Sequence, residues 1–179
     1  MTTEGLKERA GVVTFKGEPK TLLGSELRTG EPLPSFRLTA DDLSPVTPEM
    51  LTDGGKRTAL LIVVPSLDTS VCSLESKTFN ARVAELPEGV WGYVISRDLP
   101  FAMARWKKEQ GNIKFQMLSD YRDHSFGRSM GLEIKELGLL ARAVIVVGKD
   151  GRVRYLELVK EVAGEPNYDQ AIAAAKSAA

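Results

Sequence analysis

Apolar positions along the chain follow two periods, and their alternation predicts an α/β fold. The run at 59–65, ALLIVVP, is apolar on both faces, which is typical of a strand at the centre of a sheet. VWGYVIS at 90–96 and FQML at 115–118 predict further strands. The segment 142–158 predicts a hairpin, because Asp-Gly, a strong tight-turn signal, lies between two strand-like runs.

Helical segments lie between and after these strands. The stretch that follows Cys72 has Leu74, Phe79, Val83 and Leu86 at helical spacing, with charged residues between them. The predicted helices are a short one that starts at Pro48 after a capping Thr47 and ends at Gly54-Gly55, and longer ones at 72–86, 100–111 and 168–178. We therefore expect an α/β sandwich with a mixed sheet.

The N-terminal part of the chain predicts a β-hairpin ahead of this sandwich. Two short alternating stretches at 12–15 and 20–23 are separated by Gly17 and Pro19. No internal repeat or linker interrupts the sequence, so residues 1–179 are expected to form a single domain, with residues 1–12 flexible. The segment around His124 is expected to be irregular.

Charge and composition argue against several classes of partner. Lys and Arg number 24, as do Asp and Glu, so the formal net charge is zero and no basic field would attract nucleic acid. The start, MTTEGLKERAGVV, places charges where a signal peptide needs an apolar core. The longest apolar run is too short to span a bilayer. We expect a cytoplasmic protein that binds neither nucleic acid nor membrane.

The chain contains one cysteine, Cys72, and one histidine, His124. A single cysteine cannot form an intrachain disulfide, and these two residues are a poor basis for a zinc site. Cys72 is therefore either an inert core residue or a reactive thiol. If a helix starts at Ser70 or Val71, Cys72 lies in its first turn, where unpaired N–H groups and the helix dipole favour a thiolate.

Three further residues bear on that choice. Pro65 ends strand pairing and begins a turn toward Cys72. Thr69, three residues before Cys72, could face the sulfur with its hydroxyl, or could serve only as a helix cap. Arg142 interrupts the apolar segment LGLLARAVIVV and needs an anion nearby. It could favour a Cys72 thiolate at the sheet edge, or it could be a surface arginine paired to a carboxylate.

The pattern Pro65-x-x-x-Thr69-x-x-Cys72 resembles the active-site signature of the peroxiredoxins. The phrases PSLDTSVC, SRDLPFAMARW and LLARAVIVV resemble the thiol peroxidase subfamily, and the similarity extends from about residue 13 to 175. The resemblance implies a thioredoxin-like fold and a homodimer, and we expect no metal or organic cofactor. It also implies that Cys72 attacks the peroxide, Thr69 hydrogen-bonds it, Arg142 stabilises charge and Pro65 shields the site.

One position departs from the family pattern. The resemblance places a resolving cysteine in the helix after DLPFA, where this chain has Lys107, which by itself is typical of a solvated cation near a helix C-terminus. We expect the oxidised Cys72 to be reduced by an external thiol, a thioredoxin-like protein or a small molecule, or through another subunit. Two alternatives are a peroxide sensor without turnover and a Cys/His acyl-transfer enzyme that uses His124 as its base.

Overall fold

The computed structural model describes residues 5–179, which form two β-sheets and five α-helices. In chain order the elements are β1 (Glu8–Phe15), β2 (Glu18–Leu23), β3 (Leu38–Thr39), β4 (Pro45–Val46), α1 (Pro48–Leu51), β5 (Thr58–Val63), α2 (Ser70–Ala81), β6 (Val90–Ser96), α3 (Pro100–Gln110), β7 (Gln116–Ser119), α4 (Ser125–Ser129), β8 (Glu133–Ile134), β9 (Leu139–Leu140), β10 (Ala143–Val147), β11 (Val153–Leu158) and α5 (Tyr168–Ser177). A short 3-10 turn at Val83–Glu85 follows α2.

The larger sheet has seven strands in the order β11-β10-β5-β6-β7-β3-β4. Strands β5, β6 and β7 are parallel, whereas β10 pairs antiparallel with β5 and with β11. All six residues of β5 are buried, as its two-sided apolar pattern predicts. The mixed sheet and the 149–152 hairpin turn that the sequence predicts are therefore both present.

Side chains of β5 alternate between two core layers. Leu61 points to a layer that includes Phe126 of α4. Leu60 and Ile62 point to the opposite layer, which includes residues from α2, α3 and α5. Helices α2, α3 and α5 therefore cover one face of the sheet, and α4 packs against the other. The predicted thioredoxin-like α/β sandwich is confirmed.

The smaller sheet has the order β1-β2-β8-β9 and contains the predicted N-terminal hairpin. Its first strand begins at Glu8 and pairs with β2, so residues 8–12, expected to be flexible, belong to a strand here. Residues 1–4 of that expectation lie outside the described residues, and the single-domain assignment stays a prediction. Within 5–179, no helix combines the length and apolar character needed to cross a membrane.

Three predictions about the middle of the chain are wrong in detail. The helix expected at 72–86 ends at Ala81, and a 3-10 turn takes its place before Pro87. Leu74, placed on its apolar face by the sequence, is 49% exposed. The buried stripe is instead Cys72, Glu75, Ser76 and Phe79, which fits the i, i+3, i+4, i+7 spacing of one helix face. The segment after His124 forms α4 and is not irregular throughout.

Candidate active site

Cys72 lies in the first turn of α2, just beyond the carboxyl end of the central strand β5. The chain leaves β5 at Val63, turns through residues 64–69 and enters the helix at Ser70, one of the two starting points that place Cys72 in the first turn. The thiol is free and fully buried in the core layer beneath α2, α3 and α5. Burial alone fits the inert alternative, so the polar contacts of the sulfur decide what it can do.

The hydroxyl of Thr69 is the first of these contacts. Thr69 occupies the N-cap position of α2 with extended backbone, but its side chain makes no capping hydrogen bond. Its Oγ1 lies 2.8 Å from Cys72 Sγ and 3.0 Å from the carbonyl oxygen of Ser66. One hydroxyl hydrogen cannot serve both acceptors fully, so a thiolate at Cys72 would compete with the carbonyl for it.

The guanidinium of Arg142 is the second contact. Arg142 directly precedes β10, and the strand alternation places its side chain on the same face as Val144 and Val146, toward Cys72. It is 1% exposed, so the alternative of a surface arginine is wrong. Its Nη2 donates to Cys72 Sγ at 3.2 Å, and its Nε donates to the Val162 carbonyl at 2.9 Å.

Glu75 is the acidic partner of Arg142, and sequence reasoning missed it. Its Oε2 accepts a hydrogen bond from Nη1 of Arg142, and its side chain is fully buried. Within residues 5–179 its other oxygen, Oε1, has no hydrogen-bond partner. The available signal was spacing, because Glu75 lies three residues after Cys72 and therefore on the same helix face.

The pKa values of Glu75 and Arg142 are both raised, for different physical reasons. Burial raises the pKa of Glu75 from 4.5 to about 7, although the charge of Arg142 opposes that rise. For Arg142, burial acts to lower the pKa, but the charges and hydrogen bonds of Glu75 and Cys72 outweigh it and raise the pKa. Arg142 therefore stays a cation beside the sulfur.

Pro65 and His124 have different relations to this cluster. Pro65 follows the carboxyl end of β5 and is buried, but no hydrogen bond or ion pair connects it to the sulfur. His124 precedes α4, which packs through Phe126 on the opposite face of the sheet from Cys72. Across residues 5–179 no hydrogen bond joins His124 to Cys72, so the structure does not assemble the Cys/His pair of the acyl-transfer alternative.

Lys107 lies in the last turn of α3, as the sequence indicates, but it is not simply solvated. Its side chain is half-buried, and its Nζ donates to the carbonyl oxygen of Phe115 at 2.9 Å. The lysine therefore connects the end of α3 to the segment that leads into β7. The neighbouring Trp106 is buried and donates to the hydroxyl of Ser73 in α2, at 3.3 Å.

The chain is similar to known proteins across nearly its whole length. The Redoxin family pattern matches residues 28–172. A thiol peroxidase of Halalkalibacterium halodurans is 47% identical over 166 residues, which are 93% of this chain and 98% of that protein. A thiol peroxidase of Bacillus subtilis is 44% identical over 92% of this chain and 96% of its own. A crystal structure of a peroxiredoxin-like protein from Aquifex aeolicus matches with a TM-score of 0.85 and 37% identity, over 97% of this chain and 99% of that chain.

Proposed function

The chain belongs to the redoxin family and is a thiol peroxidase of the peroxiredoxin type, and on this basis we propose that Cys72 is the residue that reacts with peroxide. The observation that supports this assignment most strongly is the contact of one sulfur with two donors, Thr69 Oγ1 at 2.8 Å and Arg142 Nη2 at 3.2 Å. An inert core thiol needs neither donor. A thiolate is stabilised by both, and by the N-terminal turn of α2.

In the proposed reaction, the thiolate of Cys72 attacks the terminal oxygen of hydrogen peroxide or a small alkyl hydroperoxide. An S–O bond forms as the O–O bond breaks, which leaves a sulfenic acid on Cys72 and releases hydroxide or alkoxide. The released anion takes a proton from water to give water or an alcohol. Thr69 and Arg142 orient the peroxide and stabilise the charge that moves onto the leaving oxygen. Pro65, buried beside the loop, shields the sulfur from bulk water.

We propose that an external thiol completes the cycle. Cys72 is the only cysteine in the 179 residues, and the position that resembles the resolving site is Lys107. A first external thiol displaces water from the sulfenic acid to form a mixed disulfide. A second thiol then attacks that disulfide and releases reduced Cys72. A small thiol or a thioredoxin-like protein can supply both equivalents.

Turnover with a chosen reductant tests this function. Wild-type protein with excess dithiothreitol should consume many equivalents of hydrogen peroxide per Cys72, and Cys72→Ser should consume none above background. A parallel reaction with thioredoxin and its reductase shows which class of thiol is preferred. Consumption that stops at one equivalent per Cys72, with dithiothreitol still present, would refute a catalytic cycle and favour a peroxide sensor.

The oligomeric state and the cellular location of the protein are also proposals. Within residues 5–179, three of the five exposed large apolar side chains lie near the active-site loop: Leu74, Leu99 and Phe101. Such a concentration favours a protein interface, and we propose a homodimer, for which sedimentation analysis of the reduced protein is the direct test. The single free cysteine also suits the reducing conditions of the cytoplasm.

A further inference from the structure

The turn that contains Thr69 is held in place by a carboxylate from a neighbouring strand. Asp98 lies between the end of β6 and the start of α3. Its Oδ1 accepts a hydrogen bond from the hydroxyl of Ser66 at 2.7 Å, and its Oδ2 accepts one from the backbone N–H of Leu67 at 2.7 Å. Both donors belong to the turn between β5 and α2, so Asp98 fixes the middle of this turn from outside it.

Asp98 is itself held by hydrogen bonds to residues of the larger sheet. Strands β5 and β6 are parallel neighbours, so their carboxyl ends lie side by side. The hydroxyl of Ser96 donates to Asp98 Oδ2 at 2.8 Å and accepts from the Asp98 N–H at 3.1 Å. The hydroxyl of Ser119, at the end of β7, donates to the Asp98 carbonyl. The position of Asp98 is therefore set by hydrogen bonds from two adjacent strands, β6 and β7.

Ser66 transmits this position to Thr69. The carbonyl oxygen of Ser66 accepts the Thr69 N–H at 3.2 Å and lies 3.0 Å from Thr69 Oγ1. The same Oγ1 lies 2.8 Å from the sulfur of Cys72. A displacement of Ser66 would move Thr69 and thereby change the distance from its hydroxyl to the sulfur.

We propose that Asp98 is a positioning residue for the peroxide reaction, which acts through Ser66 to hold the Thr69 hydroxyl against Cys72. The inference rests on the proposed function of Cys72 and Thr69. Without a carboxylate at position 98, the Ser66 hydroxyl and the Leu67 N–H lose their shared acceptor, and the turn no longer has one preferred position. Because misplacement by about 1 Å can cost roughly a hundredfold in rate, we expect a loss of about tenfold or more.

The test is the second-order rate constant for the reaction of reduced Cys72 with hydrogen peroxide, measured by rapid mixing without any recycling thiol. Asp98→Asn replaces one carboxylate oxygen with a donor and should react at least about tenfold more slowly than wild type. Asp42→Asn is the matched control. Asp42 also accepts from a serine hydroxyl and a backbone N–H, both of Ser44, but it lies in the β3–β4 turn at the far edge of the sheet. Its rate should equal that of wild type.

A double-mutant comparison separates positioning from a general loss of structure. If Asp98 acts through Thr69, Asp98→Asn should have little effect in the Thr69→Val background, because the hydroxyl that it positions is already gone. An equal fold-loss in both backgrounds, or a single-variant rate equal to that of Asp42→Asn, would overturn the proposal. Should Asp98→Asn fail to fold, Ser66→Ala is measured in both backgrounds with the same two outcomes.

Failure of this inference can be distinguished from failure of the proposed function. If wild-type Cys72 does not react with peroxide, the assignment of Cys72 is wrong and Asp98 has nothing to position. If wild type reacts rapidly and Asp98→Asn reacts equally fast, only the role of Asp98 is wrong.

Discussion

Replacement of Arg142 by lysine tests whether the site needs the geometry of a guanidinium or only its positive charge. Arg142 reaches three acceptors with three nitrogens: the sulfur of Cys72, the carboxylate of Glu75 and the carbonyl of Val162. A lysine ammonium carries its three N–H donors on one nitrogen at the end of a flexible stem, so it cannot reach all three acceptors, which Arg142 contacts with separate nitrogens. The sulfur competes with a carboxylate for that one group, so we expect Arg142→Lys to leave Cys72 without its N–H donor.

The contact distance gives the size of the expected effect. Two unit charges at the 3.2 Å between Arg142 Nη2 and Cys72 Sγ attract by about 5 kcal/mol at an effective dielectric constant of about 20. The cost of desolvating both groups offsets part of this attraction. The net contribution of a hydrogen bond to a charged group is therefore roughly 1.5–3 kcal/mol. Since about 1.4 kcal/mol corresponds to a factor of ten, we expect Arg142→Lys to slow the peroxide reaction by about tenfold to hundredfold.

The assay is rapid mixing of the reduced variant with hydrogen peroxide, together with alkylation of the thiol by iodoacetamide as a measure of thiolate. Arg9→Lys is the matched control, because Arg9 also joins separate acceptors with different guanidinium nitrogens, the carbonyls of Gly24 and Gly131, but it lies in the smaller sheet. Circular dichroism confirms that both variants fold. A rate for Arg142→Lys within about twofold of wild type, well short of the loss expected for a charged hydrogen bond, would refute the reasoning.

Three further predictions concern the contacts of Thr69, Glu75 and Lys107. Thr69→Val should slow the peroxide reaction of Cys72 by about tenfold to hundredfold, whereas Thr69→Ser, which keeps the hydroxyl, should restore most of it. Burial raises the pKa of Glu75 from 4.5 to about 7, so its contribution to stability is present below pH 4.5 and is lost as the pH rises through about 7. Urea unfolding at about pH 5 and about pH 8 should therefore show wild type losing roughly 2–3 kcal/mol relative to Glu75→Gln, and equal pH dependence of the two proteins would contradict this. Lys107→Met should lower the free energy of unfolding by about 1 kcal/mol through loss of its carbonyl contact, with an unchanged peroxide rate; a slower rate would assign Lys107 a part in the chemistry.

The longer elements could be predicted from sequence because their signals are local. The two-sided apolar run of β5 and the Asp150-Gly151 turn each lie within a few residues of the structure they specify. The two-residue strands were not predicted, because their pairing depends on contacts between distant segments. These strands are β3, β4, β8 and β9.

The residues of the site also divide into those with a local sequence signal and those without one. Arg142 was identifiable as a charge inside an apolar segment, and Thr69 through its spacing from Cys72. Glu75 was missed because the buried helix face was assigned from Leu74. Residues three apart share a helix face, so Cys72 places Glu75 on the buried face. Asp98 could not be assigned to the site from sequence, since its contact with Ser66 exists only because β5 and β6 are neighbouring parallel strands.

The central claim is that Cys72 is a reactive thiolate held by Thr69 and Arg142. The most direct measurement is to mix reduced protein with one equivalent of hydrogen peroxide, trap the product with dimedone at successive times, and locate the adduct by mass spectrometry. We predict a sulfenic acid adduct on Cys72 that forms much faster than on free cysteine, and that forms more slowly in Thr69→Val and Arg142→Lys. An adduct rate equal to that of free cysteine, or one that neither substitution changes, would contradict the account.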